Sequence, residues 1–186
     1  MELQGKIILT PTQAATAPRG ESMSESLQTL HGDIAARTFR ILEVAPDWPC
    51  RRGCDSCCRS LAAEPLLTAA EWQVIDSALS QLPESTHRLI NSQIGGLDSA
   101  ARPLTCPFLD HDRGECFVYD ARPAACRTYG FYVERDRGLY CRLIEGRAGR
   151  GEFDDVVWGN HESIEVRLDA LGPRRALTEW MSGHSR

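Results

Sequence analysis

The segment CRRGCDSCC, residues 50–58, places four thiols within nine residues: Cys50, Cys54, Cys57 and Cys58. The residues between them are Arg, Gly, Asp and Ser, so apolar packing does not account for this density of cysteines. Short spacings of this kind let successive sulfurs converge on one metal ion, and Gly53 suits the tight turn that convergence requires. The segment therefore predicts a metal-binding loop.

Four further cysteines follow over a longer stretch of chain: Cys106, Cys116, Cys126 and Cys141. Each of them, taken alone, is compatible with an ordinary buried cysteine. The adjacent Cys57 and Cys58 are expected to point apart, so that one joins the first four thiols and the other reaches the second four. All eight cysteines are candidate metal ligands, and their division among sites stays open.

The cysteine type suits two kinds of metal centre, because thiolates bind zinc and iron–sulfur clusters alike. The metal is therefore expected to be zinc or an iron–sulfur cluster, with its identity undecided. Three other interpretations remain: a purely structural zinc site, a disulfide scaffold, and thiol–disulfide exchange at Cys54 and Cys57. Vicinal cysteines make a strained disulfide, and exchange chemistry normally uses one activated pair, so the last two are disfavoured.

The charge and hydropathy of the chain disfavour two classes of function. The chain has 186 residues and a formal net charge of −5, which disfavours general nucleic-acid binding because phosphate contacts need a basic face. Near the start, Ile7, Ile8 and Leu9 form the longest apolar run, and no transmembrane stretch is found, so we expect a cytoplasmic protein without a membrane partner. A protein partner stays open.

Three helices are predicted before Cys106. The first runs from Ser24 to about Val44, with a buried face predicted at Leu27, Leu30, Ile34, Ala35, Phe39 and Leu42. Thr68 and Glu71 form a capping box for the second, whose apolar face is Trp72, Ile75, Leu79 and Leu82. The third begins near Ser85 and ends at Gly95-Gly96.

The stretch CPFLDHDRGECFVYD, residues 106–120, is typical of a β-hairpin, because apolar pairs flank a turn rich in Asp and Gly. Pro123 then predicts the start of a short helix carrying Cys126 and Tyr129. The glycines and arginines of residues 146–151 indicate a loop, Asn160 precedes a helix from about Glu162 to Leu171, and a final helix follows Pro173.

These elements predict an α-rich α+β fold: a small single domain of helices with a β-hairpin and cysteine-rich metal-binding loops. Residues 1–22 are predicted to be a flexible N-terminal tail. Residues 23–186 are predicted to form the cysteine-cluster domain, with its motif core at residues 50–141.

The cysteine pattern resembles a known family. The residues that carry the resemblance are CRRGCDSCCR at 50–59, CPFL at 106–109 and CFVYDARPAACR at 116–127. They are similar to the YkgJ-type cysteine-cluster proteins, also described as the CxxCxxCC zinc- or iron-chelating domain family, in which the first spacing is two residues where this chain has three. The resemblance implies a bacterial, cytoplasmic metal-binding protein with the eight cysteines as ligands.

A more distant resemblance is to the cysteine region of flagellin lysine N-methylases. That resemblance implies an iron–sulfur-dependent protein-modifying enzyme as the alternative function. The sequence has no glycine-rich nucleotide loop after a clear strand, so a doubly wound methyl-donor site is unsupported. Catalytic residues are therefore not assigned.

Other residue types near the cysteines have weaker signals. Five arginines flank the thiols and would offset the negative charge of thiolates. Arg122 and Arg127 belong to the matched motif, and the others are Arg51, Arg52 and Arg59. His111 is the one histidine between cluster cysteines, and it is more easily explained as a turn residue than as a ligand. The four tryptophans, Trp48, Trp72, Trp158 and Trp180, are expected to fill the core or an interface.

Overall fold

A computed structural model describes residues 22–98, 101–135 and 137–183. The predicted tail, residues 1–22, lies outside this part of the chain except for Ser22, which caps the first helix. Within the described residues there are seven α-helices: α1 Met23–Val44, α2 Ala69–Leu79, α3 Glu84–Gly95, α4 Ala124–Thr128, α5 Arg142–Ala148, α6 His161–Ala170 and α7 Leu177–Ser182. A 3₁₀ turn, Tyr119–Ala121, precedes α4.

Short β-strands lie between the helices and pair with one another. They are β1 Leu66–Leu67, β2 Leu109–Asp110, β3 Glu115–Cys116, β4 Tyr132–Glu134, β5 Arg137–Gly138, β6 Gly159–Asn160 and β7 Arg175–Ala176. β1 pairs antiparallel with β7, β2 pairs antiparallel with β3, and β4 lies between antiparallel β5 and parallel β6. The α-rich α+β fold and the predicted hairpin are thereby confirmed.

Side chains at three helix N-termini accept hydrogen bonds from the first helical turn. Ser22 with Glu25, and Thr68 with Glu71, form complete capping boxes at α1 and α2, and the Asn160 side chain accepts from the Glu162 N–H at α6. Each box satisfies donors that the first helical turn would otherwise leave unpaired. The predicted starts of these helices are therefore confirmed to within two residues.

The predicted buried face of α1 is partly wrong. Leu27, Leu30 and Ile34 are buried as predicted, but Ala35, Phe39 and Leu42 are exposed, and Ile41 is buried in their place. A step of seven residues from Ile34 to Ile41 keeps the side chain on the same helical face, whereas Phe39 is rotated away from it.

The apolar residues form two clusters. The Trp48 core lies between α1, α5, α6 and β4, and its largest members include Ile34, Trp48, Phe131 and Phe153. The Trp72 core lies under α2, α3 and α7 and contains Trp72, Ile75, Phe108 and Leu177. All four tryptophans contribute to these cores, as predicted, because Trp158 packs on the first and Trp180 on the second.

Candidate metal centre

The cysteine loop begins where Trp48 enters its core. The Trp48 ring packs on Phe131 and Phe153, with ring centroids 5.7 and 4.3 Å away, and its Nε1–H donates to the Gly130 carbonyl at 3.1 Å. Cys50 follows two residues later, and its Sγ lies 3.7 Å from the Tyr129 carbonyl. A buried aromatic anchor therefore fixes the first thiol against the segment after α4.

Residues 51–60 turn tightly, as the sequence predicts. Gly53 has φ +86°, and the Cys54 N–H donates to the Arg51 carbonyl. The Ser60 N–H then donates to the Cys57 carbonyl at 3.2 Å. Successive turns of this kind keep the four thiols of the loop close together.

The loop is joined to the segment of Cys106 by backbone hydrogen bonds. The Cys106 N–H donates to the Cys58 carbonyl at 2.7 Å, and Leu61 and Leu104 exchange two hydrogen bonds of 2.9 Å. Cys106 itself is 8% exposed and belongs to the Trp72 core. This thiol is therefore held by both the core and the backbone of its neighbour Cys58.

The β2–β3 hairpin places a second thiol beside Cys106. Cys116 lies opposite Leu109 in the antiparallel register, and the Leu109 N–H donates to the Cys106 carbonyl at 3.1 Å. The turn of the hairpin is closed by the Gly114 N–H, which donates to the Asp110 carbonyl at 2.8 Å, with φ +67° at Gly114. The hairpin thus aligns thiols that are ten positions apart in sequence.

The helix α4 carries Cys126. Its N-cap is Pro123, as predicted, and Tyr129 lies one residue beyond its last residue. The buried carboxylate of Glu71 accepts from the Ala124 N–H at 2.9 Å, so α2 holds the start of α4. Sequence reasoning identified Glu71 as a capping residue but missed this contact, because it joins residues 53 positions apart.

Cys141 sits at the N-cap position of α5. Its carbonyl accepts from the N–H groups of Ile144 and Glu145, at 3.1 and 3.0 Å. The loop predicted over residues 146–151 is wrong at its start, since Gly146 and Arg147 lie in α5. Burial of Ile144 in the Trp48 core stabilises this helical turn despite the glycine.

The structure gathers the predicted ligands around two adjoining cavities. The larger, of about 360 Å³, is lined by seven of the eight cysteines, all except Cys141. The smaller is lined by four: Cys50, Cys54, Cys57 and Cys141. We call these four the Cys50 set, and the remaining four, Cys58, Cys106, Cys116 and Cys126, the Cys106 set.

Several of the thiols have raised pKa values in the absence of metal. Burial, followed by the proximity of the Cys57 and Cys54 thiols, raises the pKa of Cys50 to about 12. Hydrogen bonding to the Cys106 thiol raises the pKa of Cys58 to about 12, and burial raises the pKa of Cys116 and of Cys126. Metal binding at these thiols therefore releases protons, and acid opposes it.

The adjacent thiols Cys57 and Cys58 influence each other's titration. A hydrogen bond with Cys58, followed by burial, raises the pKa of Cys57. They nevertheless differ in their further neighbours, because Cys57 lines both cavities and Cys58 lines only the larger. The dipeptide is the point where the two sets of thiols meet.

The donor chemistry fits a thiophilic metal centre, since all eight cysteines are free thiols and they line two adjoining cavities. Within the described residues, however, no three Cys, His, Asp or Glu side chains already converge on a point where one ion could bind them all. In this structure the described thiols are therefore not arranged as the ligands of a single ion.

Arginine side chains border the thiols on one side. The Arg122 guanidinium lies 3.5 Å from the centre of the Tyr119 ring, its Nε donates to the Tyr119 carbonyl, and it lines the larger cavity. Its positive charge lowers the pKa of Cys50, Cys116 and Cys126, although burial outweighs this effect. Arg122 is thus placed to offset thiolate charge.

The other predicted arginines have different roles. Arg52 pairs with Asp120 at 2.6 Å, and Arg59 pairs with Asp55. Arg127 donates to the backbone carbonyls of Arg122 and Asp120, and so holds the turn before α4. The exposed Arg51 lines the larger cavity.

His111 is not brought to the thiols. Its side chain is exposed, it lines neither cysteine cavity, and its carbonyl accepts from Arg59 at 3.1 Å. This placement agrees with its interpretation as a turn residue.

Comparison with known proteins identifies the family. Residues 49–147, more than half of the chain, match the CxxCxxCC family, described as "Putative zinc- or iron-chelating domain". The chain belongs to this family, as its cysteine pattern indicated, and is a metal-binding protein of the zinc- or iron-chelating kind. No curated protein and no solved structure matches the chain. Within the described residues, no helix is both long and apolar enough to cross a bilayer.

Proposed function

We propose that the thiols of this chain bind iron–sulfur clusters in preference to zinc ions, with the eight cysteines as the candidate ligands. The supporting observation is that seven thiols line one cavity of about 360 Å³, while no three donors of the described chain converge on one ion. A tetrahedral zinc site, with Zn–S bonds of about 2.3 Å, needs four sulfurs within about 4 Å of one another. In a cluster the thiolates bind several different iron atoms, so the sulfurs can lie farther apart than they do around a single zinc ion.

Charge around the site agrees with this proposal. A cluster held by four thiolates is anionic, and Arg122 and Arg51 line the larger cavity. Hydrophobic residues of the Trp72 core, among them Ile75 and Phe108, also line this cavity. Bound there, an iron–sulfur cluster supplies one-electron redox chemistry or a structural crosslink between loops.

The first test is elemental analysis of protein purified without oxygen and without a metal-affinity tag. We expect iron and acid-labile sulfide in stoichiometric amounts, with a broad visible absorption band. Stoichiometric zinc in colourless protein would overturn the cluster but leave metal chelation standing. Protein that contains neither metal would overturn both.

Ligand assignment is tested by substitution in the loop. Cys57→Ser and Cys58→Ser are expected to lower metal content and soluble yield, since an incomplete thiolate site forfeits folding free energy. Ser60→Ala, which lies in the same loop and lines the larger cavity, is the matched control and should retain its metal. Full metal retention in both cysteine variants would contradict the assignment.

A second candidate function is supported by the shape of the larger cavity. Beyond the thiols it extends along Leu61, Ala63 and Leu67, which no metal would require, and this leaves room for a substrate beside the metal. An iron–sulfur-dependent protein-modifying enzyme similar to the lysine N-methylases would use such a space. Calorimetric titration of the metal-loaded protein with S-adenosylmethionine tests this candidate, and the absence of binding would remove it.

We also propose that the protein works in the cytoplasm, because eight free thiols persist as metal ligands only in a reducing compartment. Cell fractionation followed by immunoblotting tests this location. Recovery of the protein in an oxidising compartment would contradict it.

A further inference from the structure

The two sets of thiols are carried by different parts of the hydrophobic interior. In the Cys50 set, Cys50 and Cys141 both pack on the Trp48 core. Cys50 is fixed there by the Trp48 segment, and Cys141 by the start of α5, whose Ile144 is buried in the same core. These thiols therefore move with the Trp48 core.

Three members of the Cys106 set belong to the other core. Cys106 is a buried member of the Trp72 core, and Cys58 and Cys116 pack on it from the loop and from the hairpin. Cys126 approaches them from α4 and lines the same cavity. Backbone hydrogen bonds from Cys106 to Cys58, and from Leu109 to Cys106, hold this set together independently of any metal.

The cavities divide in the same way. All four members of the Cys50 set line the smaller cavity, and no member of the Cys106 set does. The larger cavity is lined by the whole Cys106 set together with Cys50, Cys54 and Cys57, and Cys141 is absent from its wall. Core packing separates Cys50 and Cys141 from Cys58, Cys106 and Cys116, and the smaller cavity separates the same five cysteines in the same way.

One four-thiolate centre would leave four cysteines without a role, since zinc sites and iron–sulfur clusters each use four protein ligands. We propose that the chain binds metal at two separate four-thiolate sites that meet at the Cys57–Cys58 peptide. One site consists of Cys50, Cys54, Cys57 and Cys141, and the other of Cys58, Cys106, Cys116 and Cys126. This inference rests on the proposed metal-binding function and holds for either metal.

The arrangement has a structural consequence. The site that contains Cys50 and Cys141 lies against the Trp48 core, and the site that contains Cys106 lies against the Trp72 core. Because the peptide between Cys57 and Cys58 connects the two sites, the two metals would join the two cores through one short loop.

The test is metal content per chain in the full-length protein as purified anaerobically, for the wild type and for Cys54→Ser, Cys116→Ser and the double variant. We expect each single variant to retain about half of the wild-type metal and the double variant to retain almost none. Arg150→Gln, at a residue that lines neither cysteine cavity, is the control and should match the wild type. Complete loss of metal from both single variants, with folding retained by circular dichroism, would overturn the two-site division.

A second measurement keeps the inference testable if a variant does not fold. Wild-type protein is treated with increasing EDTA, its exposed thiols are alkylated with iodoacetamide, and the labelled cysteines are identified by mass spectrometry. The inference expects labelling in two groups of four with the memberships given above. Labelling in groups with other members, or labelling of all eight cysteines in one step, would overturn the two-site inference. Wild-type protein that contains no metal would instead overturn the proposed function.

Discussion

The Glu71 carboxylate lies 2.9 Å from the Ala124 N–H, and this contact joins the start of α2 to the start of the helix that carries Cys126. The other oxygen of Glu71 accepts from the Thr68 N–H and hydroxyl. The residue is only 2% exposed. One buried side chain therefore serves as a helix cap and as a support for a candidate ligand.

Glu71→Ala should destabilise the protein and lower its metal content. The substitution leaves the buried N–H groups of Thr68 and Ala124 without an acceptor, at a cost of about 2–4 kcal/mol in the free energy of unfolding. Because α4 would lose its support, metal retention should fall as well. Urea denaturation and elemental analysis measure the two effects.

The control for Glu71 is available in the same chain. Glu25 forms the same capping box with Ser22, but it is exposed and far from the cysteines in sequence. Glu25→Ala should therefore destabilise the protein much less and leave the metal content unchanged. Equal effects of the two substitutions would show that Glu71 acts only as a cap.

Gly130→Ala should disturb the Cys50 set. A Cβ at this position would lie 3.1 Å from the Cys50 Sγ and 3.1 Å from the Ile144 Cδ1, and the backbone has φ +89°. The left-handed conformation alone costs about 1–2 kcal/mol in a residue with a side chain. The contact with Cys50 should add a loss of metal, measured by elemental analysis.

Gly172→Ala separates these two effects. Gly172 also has a positive φ, +109°, but an added Cβ there would meet nothing within 4 Å. This variant should be destabilised by backbone strain while keeping its full metal content. If Gly130→Ala kept its metal equally well, the position assigned to Cys50 would be wrong.

Much of this architecture is predictable from local sequence because it depends on local interactions. The capping box of Thr68 and Glu71, the turn at Gly114 and the helix start at Pro123 each involve residues within a few positions of one another. The wrong assignments have the same origin: the exposure of Phe39 and the helical state of Gly146 depend on which distant core covers each segment. Sequence pattern alone does not encode that choice.

The candidate site is likewise predictable from sequence only in part. Sequence alone identifies all eight cysteines, because their residue type and spacing suffice. It does not place Cys141 beside Cys50, since the thiols are 91 positions apart and are brought together by the Trp48 core. Sequence alone also does not indicate Gly130, which matters because an added Cβ at this position would crowd Cys50.

Arg122→Gln should weaken the thiolate character of the site. Removal of a guanidinium that lowers the pKa of Cys50, Cys116 and Cys126 should raise those pKa values further. Because iodoacetamide reacts with the thiolate, these cysteines should be alkylated more slowly in metal-depleted protein at a fixed pH. Alkylation rates of individual cysteines, followed by mass spectrometry, measure the effect.

Arg122→Lys keeps the charge and should restore part of the rate. Arg150→Gln removes a charge that is paired with Glu152, and Arg150 lines neither cysteine cavity, so it should change nothing. Unaltered alkylation in Arg122→Gln would mean that Arg122 holds the Tyr119 turn without acting on the thiols.

His31 should make folding sensitive to mild acid. Its Nε2 is buried and has no hydrogen-bond partner among the described residues, and burial, followed by the nearby Arg127 charge, lowers its pKa to about 4 from 6.5. The unfolded chain therefore binds this proton more readily than the folded chain between these two values. Stability from neutral His31 is complete above about pH 6.5 and is lost as the pH falls toward 4.

Urea denaturation at pH 7 and at pH 5 measures this loss in the wild type and in His31→Leu, with the same metal content in both. His31→Leu should lose less stability between the two pH values, because its side chain takes up no proton. His111→Gln, which alters an exposed histidine, should follow the wild type. Acid also protonates the thiolate ligands, but that contribution is common to all three proteins, so an equal loss of stability in wild type and His31→Leu would show that His31 is not the acid-sensitive group.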